Sequence, residues 1–378
     1  MSLVLRERMR KSEASMTSGG IQIPVMRPRL PLQSALASYL RRIDESRTYT
    51  NFGPLHLELE SRLAEYFGVH ETEILLVANG TLALQGAIET ASVRDTRWVI
   101  PSWTFVASAE AVSSAKREIF FGDVNSTDWR LQLSLATAQE PHIVVAPFGD
   151  SPRLREIRQI VAESPVIVDA ASCFDACGSM GSDIMTNALV MVSLHATKLV
   201  TTGEGGVLIG DPQWISDVKR WSNFGFRGRR IADVRGTNAK LSEYSAAVGL
   251  ASLDAWSRTK EELAVVATHY RQTLEEIGLS LQPALDSGHV TSTAVVRFAD
   301  GAVRNHVRDA LYQSGIETRA WWSEGVHRME TFADCPRREE LLVTDNLAST
   351  TLGLPFFIDM TDTQIDAVVR TIGALIGR

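Results

Sequence analysis

Residues 187–211 read NALVMVSLHATKLVTTGEGGVLIGD. Two apolar runs, ALVMV and VLI, frame a stretch of hydroxyl residues, glycines and a single lysine. Apolar runs with so little polar interruption fit strands buried on both faces, as in a sheet covered by helices on either side. Lys198 then follows a buried strand and precedes Gly203, Gly205 and Gly206. A lysine at a strand end is ordinarily a solvated cap. Beside a glycine-rich turn, where backbone can approach a bound group, it can instead form a Schiff base with a carbonyl. What stands at the other strand ends decides between the two.

The same pattern extends outward. EILLVANGTLALQGAIET (73–90) reads as strand, turn and helix, and RWVIPSWTFVASAEAVSSA (97–115) repeats that order. REIFFGDV (117–124), HIVVAPF (142–148) and PVIVDAA (165–171) are further strands. LHLELESRLAEYFG (55–68) places Leu55, Leu59, Leu63 and Phe67 on one helical face, and Gly68 stops it. Alternating strands and helices predict an α/β fold with a mainly parallel sheet, whose ligands collect at the carboxyl ends of the strands. The sheet region ends near Gly210, and the largely helical 241–278 bridges to a second unit containing STAVVRFAD (292–300) and helices over 302–315 and 361–377. The expected division is a flexible tail over 1–29, a large domain over 30–255 and a smaller C-terminal α+β domain over 256–378.

Composition bounds the function. Of 378 residues, 44% are hydrophobic and 22% charged, as in an ordinary globular protein of more than one domain. The net charge of −7 leaves no basic excess for a nucleic-acid partner. Three cysteines, Cys173, Cys177 and Cys335, cannot build a disulfide framework and predict a cytoplasmic protein. With no second cysteine pair or histidine cluster, no metal site is expected. No run approaches the roughly 18 apolar residues of a membrane span, and the polar, basic first 20 residues lack the core of a secretory signal.

Four strand ends carry chemistry. At the first, Gly80 and Thr81 follow Asn79; this is either a simple helix cap or an anion site made by a helix N-terminus and a hydroxyl. At the second, alternation sends Trp103 and Phe105 to one side and Thr104 to the other, as core filler or as a stacking surface. At the third, Asp169 closes an apolar strand, where a carboxylate needs a helix N-terminus or a ligand cation as partner. The fourth carries Ser193 and Lys198. A phosphate cradle, an aromatic plate, a buried acid and a lysine are together what pyridoxal 5′-phosphate requires.

With these residues in place, the sequence resembles the DegT-type sugar aminotransferases, a branch of the fold-type I pyridoxal-phosphate enzymes. The resemblance covers about residues 30–378. NFGPLHLELESRLAEYFGV (51–69) matches the family's opening segment and ANGTLAL (78–84) its phosphate loop. IPSWTFVAS (100–108) matches the segment with the stacking aromatic, which falls on Phe105. VDAA supplies the pyridine aspartate, Asp169, and SLHATKLVTTGEGG the phosphate-touching Ser193 and the Schiff-base Lys198. In GTNAKLSEYSAAVGLASLD (236–254), Asn238 matches the asparagine that reaches the cofactor phosphate of the neighbouring subunit. GIETRAWWSEGVH (315–327) is similar to a stretch ending in a substrate-side histidine, His327. Two departures stand out. Ser172 occupies a position where many members carry glutamine or histidine against the cofactor's ring hydroxyl, and WWSEGVH replaces a tyrosine-containing version and lacks its proline.

The resemblance implies a homodimer with shared active sites and ping-pong transamination from an amino acid, L-glutamate, to a nucleotide-linked 4-keto-6-deoxyhexose at C-4. A dehydratase branch has histidine in place of the lysine, so Lys198 implies transamination. Arg227, Arg229 and Arg230 are candidates for the substrate's diphosphate, or form an exposed basic loop, and His195 is a candidate substrate or cofactor contact. Alternatives on the same scaffold are amination at C-3, of a cyclitol or of an aromatic precursor. A non-catalytic cofactor-binding regulator would need a separate recognition module, for which the chain has no room.

Overall fold

The computed structural model describes residues 22–93, 97–133, 139–161, 163–178, 180–181, 184–282 and 288–377. Residues 1–21 of the expected tail lie outside the described residues. Its remainder is not free: Ile23 pairs with Ile316, Phe356 N donates to Val25 O, and both Ile23 and Val25 are buried. Apolar side chains at these two positions anchor the chain here.

Helix α1 (Gln33–Ser46) leads to α2 (Pro54–Phe67). Proline opens α2 and Gly68, at φ +68°, closes it in the left-handed conformation a helix C-cap favours. Leu55, Leu59, Leu63 and Phe67 are buried along its inner face, each contributing on the order of 1.5–3 kcal/mol of transfer free energy. Then come β1 (Ile74–Val77), α3 (Gly80–Thr90), β2 (Arg97–Pro101), α4 (Val106–Ser114), β3 (Glu118–Gly122), β4 (His142–Val145) and α5 (Leu154–Val161). β5 (Val166–Asp169), β6 (Ala188–Ser193), β7 (Gly206–Gly210) and α6 (Pro212–Trp221) follow.

The seven strands form one sheet in the order β1-β7-β6-β5-β4-β2-β3. All pairs are parallel except those of β7, which is antiparallel to both β6 and β1. The reason is local. A parallel return needs a crossover, usually helical, whereas the loop Leu194–Gly205 holds no helix and closes on itself, Leu194 N donating to Gly205 O, so that the chain turns straight back. The carboxyl ends of β1, β2, β4, β5 and β6 therefore share one edge, and Gly206 at the start of β7 joins them there.

Alternate strand residues face two separate cores. Val190 and Val192 pack with α2 and the C-terminal elements, and Leu189 and Met191 pack with α3, α4 and α6. Helices α7 (Glu243–Asp254) and α8 (Trp256–Glu276) are broken apart at Ala255. Beyond them, β8 (Ala294–Arg297), α9 (Gly301–Gln313), α10 (Leu342–Thr350), β9 (Thr351–Leu354) and α11 (Asp362–Ile376) complete the chain, with β8 and β9 antiparallel. This is the fold-type I architecture: a mainly parallel sheet between helices, with a smaller α+β unit after it.

Candidate active site

The shared strand edge opens into a cavity of about 690 Å³. Its lining includes Gly80, Thr81, Phe105, Asp169, Ser172, Ser193, His195 and Lys198. Eight expected residues, scattered over more than a hundred positions of sequence, thus meet in one place.

Each is positioned by its neighbours. Asn79 caps α3, its Oδ1 accepting from Leu82 N at 2.8 Å. The N–H groups of Gly80 and Thr81, in the first turn, have no intrahelical acceptor. Gly206 lets β7 press against this turn: a Cβ there would lie 2.8 Å from Asn79 O and 2.9 Å from Gly80 Cα. The glycines of the lysine loop have the same kind of purpose. Gly203 adopts φ +83°, and a Cβ on Gly205 would strike Thr202 Oγ1. The loop is laced to itself through Leu194 N to Gly205 O, Ala196 N to Gly203 O and Lys198 N to His195 O. Lys198 is thereby held partly buried at the cavity floor, where Nζ donates to Ser172 Oγ at 2.8 Å. Burial lowers the Lys198 pKa, against the pull of the Asp169 carboxylate. The free amine, the nucleophilic form, is favoured accordingly.

Asp169 ends β5 and is buried. Ser108 Oγ donates to its Oδ2 at 2.7 Å and Ala171 N to its Oδ1 at 3.2 Å. Burial pushes its pKa up, opposed by the Ser108 and Ala171 hydrogen bonds and by Lys198. His195 lines the wall, with Nδ1 2.9 Å from Thr197 Oγ1 and Nε2 3.6 Å from Glu204 Oε1.

The aromatic segment departs from strand alternation. Residues 102–104 bend rather than extend, so Trp103 is 2% exposed in a core beside Trp322, whereas Phe105 is 57% exposed in the cavity. Thr104 also lines the cavity instead of facing away from it. The alternation rule fails because it assumes an extended backbone.

Five expected residues stand outside the cavity of their own chain. Asn238 is exposed and its Oδ1 accepts from Lys240 Nζ at 2.7 Å. Arg227 borders a separate crevice with Phe52, Lys219 and Asn223, and Arg229 and Arg230 are exposed. His327 is 1% exposed. Its Nδ1 lies 2.5 Å from Ser102 Oγ and its Nε2 3.1 Å from Asp345 Oδ1, so in this chain it ties the 326–328 turn to the bend after β2.

Sequence reading missed the opposite wall. Phe148, at φ +51°, stacks on Trp322 with ring centroids 4.1 Å apart, and both line the cavity with Trp321 and Arg319. A left-handed phenylalanine leaves no mark in composition or periodicity. Ser108, which donates to Asp169 and has Thr104 beside it, was missed too, because nothing local in the sequence marks a contact between the segments after β2 and β5.

The residues present fit pyridoxal phosphate. The glycine-lined α3 N-terminus, Thr81 and Ser193 suit a phosphate, Asp169 a ring cation, Phe105 a ring face and Lys198 an aldehyde. Fold and cavity together define a pyridoxal-phosphate-dependent aminotransferase. Residues 32–373 match the model of the DegT/DnrJ/EryC1/StrS aminotransferase family, and the chain belongs to that family. It is 26% identical to the dTDP-4-amino-4,6-dideoxy-D-glucose transaminase of Shigella dysenteriae, across 92% of this chain and 97% of that protein. A Bacillus cereus structure assigned as a PLP-dependent aminotransferase superposes with a TM-score of 0.83 at 26% identity, covering 93% of this chain and 99% of that one. The structure of DesI in the presence of its TDP-sugar product gives 0.81 at 27% identity, covering 94% and 93%.

Proposed function

We propose that this aminotransferase moves the amino group of L-glutamate to C-4 of a nucleotide-linked 4-keto-6-deoxyhexose, as a cytoplasmic homodimer with shared active sites. The observation that carries the reading is the near full-length likeness to a transaminase named for a dTDP-linked 4-amino-4,6-dideoxy sugar. DesI, crystallised with its TDP-sugar product, adds to it. A cavity of about 690 Å³ leaves space for a sugar beside the cofactor.

Bound pyridoxal phosphate supplies the electron sink for loss of the donor's α-proton. The rest is the work of side chains. With the cofactor bound, Lys198 Nζ would anchor it and, once freed by the donor amine, would move the proton between the donor's α-carbon and the cofactor, and in the second half-reaction between the cofactor and the acceptor carbon. Asp169 holds the ring nitrogen as a cation, and Gly80, Thr81 and Ser193 hold the phosphate. Phe105 covers a ring face, and Ser172 steadies the lysine. Asn238 of the partner subunit completes the phosphate site, and Arg227, Arg229 and Arg230 offer cations to the substrate's diphosphate. Arg319, a guanidinium already in the cavity lining, suits an anionic substrate group as well. His195 meets substrate or cofactor on the wall, and His327 supports that side of the site from behind. The large domain over 30–255 carries the cofactor and the smaller one over 256–378 closes the site.

A second reading, amination of an aromatic precursor, draws on the Phe148–Trp322 stack in the cavity wall. One experiment tests both. The enzyme, glutamate and a panel of nucleotide keto-sugars, cyclitol ketones and aromatic-precursor ketones are incubated and the products analysed by mass spectrometry and NMR. A 4-amino-4,6-dideoxy product made at least tenfold faster than any other supports the proposal. Preferential amination at C-3, or of a non-sugar ketone, overturns it.

A further inference from the structure

Three buried polar groups form a line along the wall of the site. Thr104 Oγ1 lies 2.9 Å from Ser108 Oγ, and Ser108 Oγ donates to Asp169 Oδ2 at 2.7 Å. Thr104 and Ser108 are fully buried and Asp169 nearly so. Thr104 and Asp169 line the cavity, and Ser108, in the first turn of α4, stands behind them.

The direction of this chain follows from counting protons. A hydroxyl has one hydrogen to donate. Ser108 gives its hydrogen to Asp169, so between the two hydroxyls Thr104 must be the donor. The sequence of donation therefore runs from Thr104 to Ser108 to Asp169 and ends on an acceptor that is strongest when ionised. Hydrogen bonds that favour the charged form offset the cost of burying a carboxylate.

The geometry points to Ser108 as a positioning residue that keeps Asp169 ionised and aimed into the cavity, with Thr104 fixing the orientation of the Ser108 hydroxyl. Ser108 acts only through Asp169. The inference rests on Asp169 holding the cofactor's ring nitrogen, as proposed above. The titratable groups that act on Asp169 from the neighbouring segments are Lys198, in the loop after β6, and Cys173, just beyond β5. The buried Cys173 thiol is held at about 12 and stays neutral over the working range. Lys198 remains in place in the Ser108 variants and is common to every comparison.

The test measures the dissociation constant of pyridoxal phosphate against pH for the full chain, by cofactor fluorescence, together with the pH profile of kcat. Ser108→Ala is expected to weaken cofactor binding about tenfold at pH 7 and to move the acid limb of both profiles up by about one pH unit. A carboxylate without its charge-assisted donor takes up its proton at higher pH. Thr104→Val, similar in shape, should move both in the same direction but by less. Ser108→Thr, which keeps the hydroxyl, should restore most of the loss. In the Asp169→Asn background, Ser108→Ala should change cofactor affinity by less than twofold, because there is no carboxylate left to hold.

Unchanged affinity and an unmoved acid limb in Ser108→Ala would overturn the inference. So would an undiminished effect in the Asp169→Asn background, which would make Ser108 a packing residue of α4. If Asp169→Asn itself left affinity unchanged, the reading of Asp169 would fail first, and the two failures are thereby distinguished.

Discussion

Lys198 Nζ donates a 2.8 Å hydrogen bond to Ser172 Oγ, linking the loop after β6 to the turn after β5. By the family resemblance of the sequence, a longer polar side chain directed at the cofactor is expected where Ser172 stands. In this protein the short hydroxyl reaches the lysine instead. It holds the amine in the cavity without adding a charge.

Lys198→Ala is expected to lower transamination by at least about a thousandfold, since it removes both the cofactor's anchor and the proton carrier. Its circular dichroism and melting temperature should stay near wild type, because Lys198 packs into a cavity and not a core. Ser172→Ala should cost about fivefold, as for one hydrogen bond of about 1 kcal/mol. Single-turnover absorbance measurements with glutamate check both. Substantial turnover by the Lys198 variant would remove the lysine from the mechanism.

Asp169→Asn should bind cofactor loosely and retain little activity, because a neutral amide cannot hold a ring cation. Equilibrium dialysis of the cofactor and steady-state rates measure the two effects separately. Near-native turnover would reduce Asp169 to a structural cap.

Mixing inactive Lys198→Ala chains with inactive Asn238→Ala chains should restore activity if Asn238 completes the partner's site. An isologous dimer places both lesions in one composite site and leaves the other intact. Random exchange of equal amounts makes about half the dimers mixed, hence roughly a quarter of wild-type activity. No recovery despite demonstrated subunit exchange would mean that Asn238 serves its own chain.

His142 lies fully buried in β4, and burial lowers its pKa to about 4. The unfolded chain, with its ordinary value of 6.5, then binds more protons than the folded one between about pH 6.5 and 4. Stability should therefore rise with pH across that window, and protonation of the unfolded state should cost about 3 kcal/mol by its lower end. His142→Leu should flatten the dependence. Urea unfolding at pH 7.5, 6 and 5 for both proteins gives the comparison, and equal pH slopes would exclude His142 as the source.

Local pattern and tertiary packing decided different things about this protein. Apolar runs and four-residue spacings were enough to locate the strands of the main sheet and most of the helices, though not α1, α5, α6, α10 or β9, because burial on both faces or on one helical stripe is written into neighbouring residues. Gly80, Thr81, Asp169, Ser193 and Lys198 were legible for a related reason: a strand end followed by a turn is a local event, and in a mainly parallel sheet such ends must meet at one edge. The antiparallel β7 came from a loop that lacks a crossover helix and whose two ends pair with each other, which strand periodicity does not reveal. Other features depended on contacts between segments far apart in the chain. Ser108 meets Asp169 only because β2 and β5 lie on either side of β4, and Phe148 finds Trp322 only when the C-terminal unit folds back over the sheet edge. His327 is locked to Ser102, outside the cavity, by that same docking. Trp103 and Phe105 part company at a bend set by the Ser102 contacts with Gly122 and Val326, partners that no reading of PSWTF alone contains.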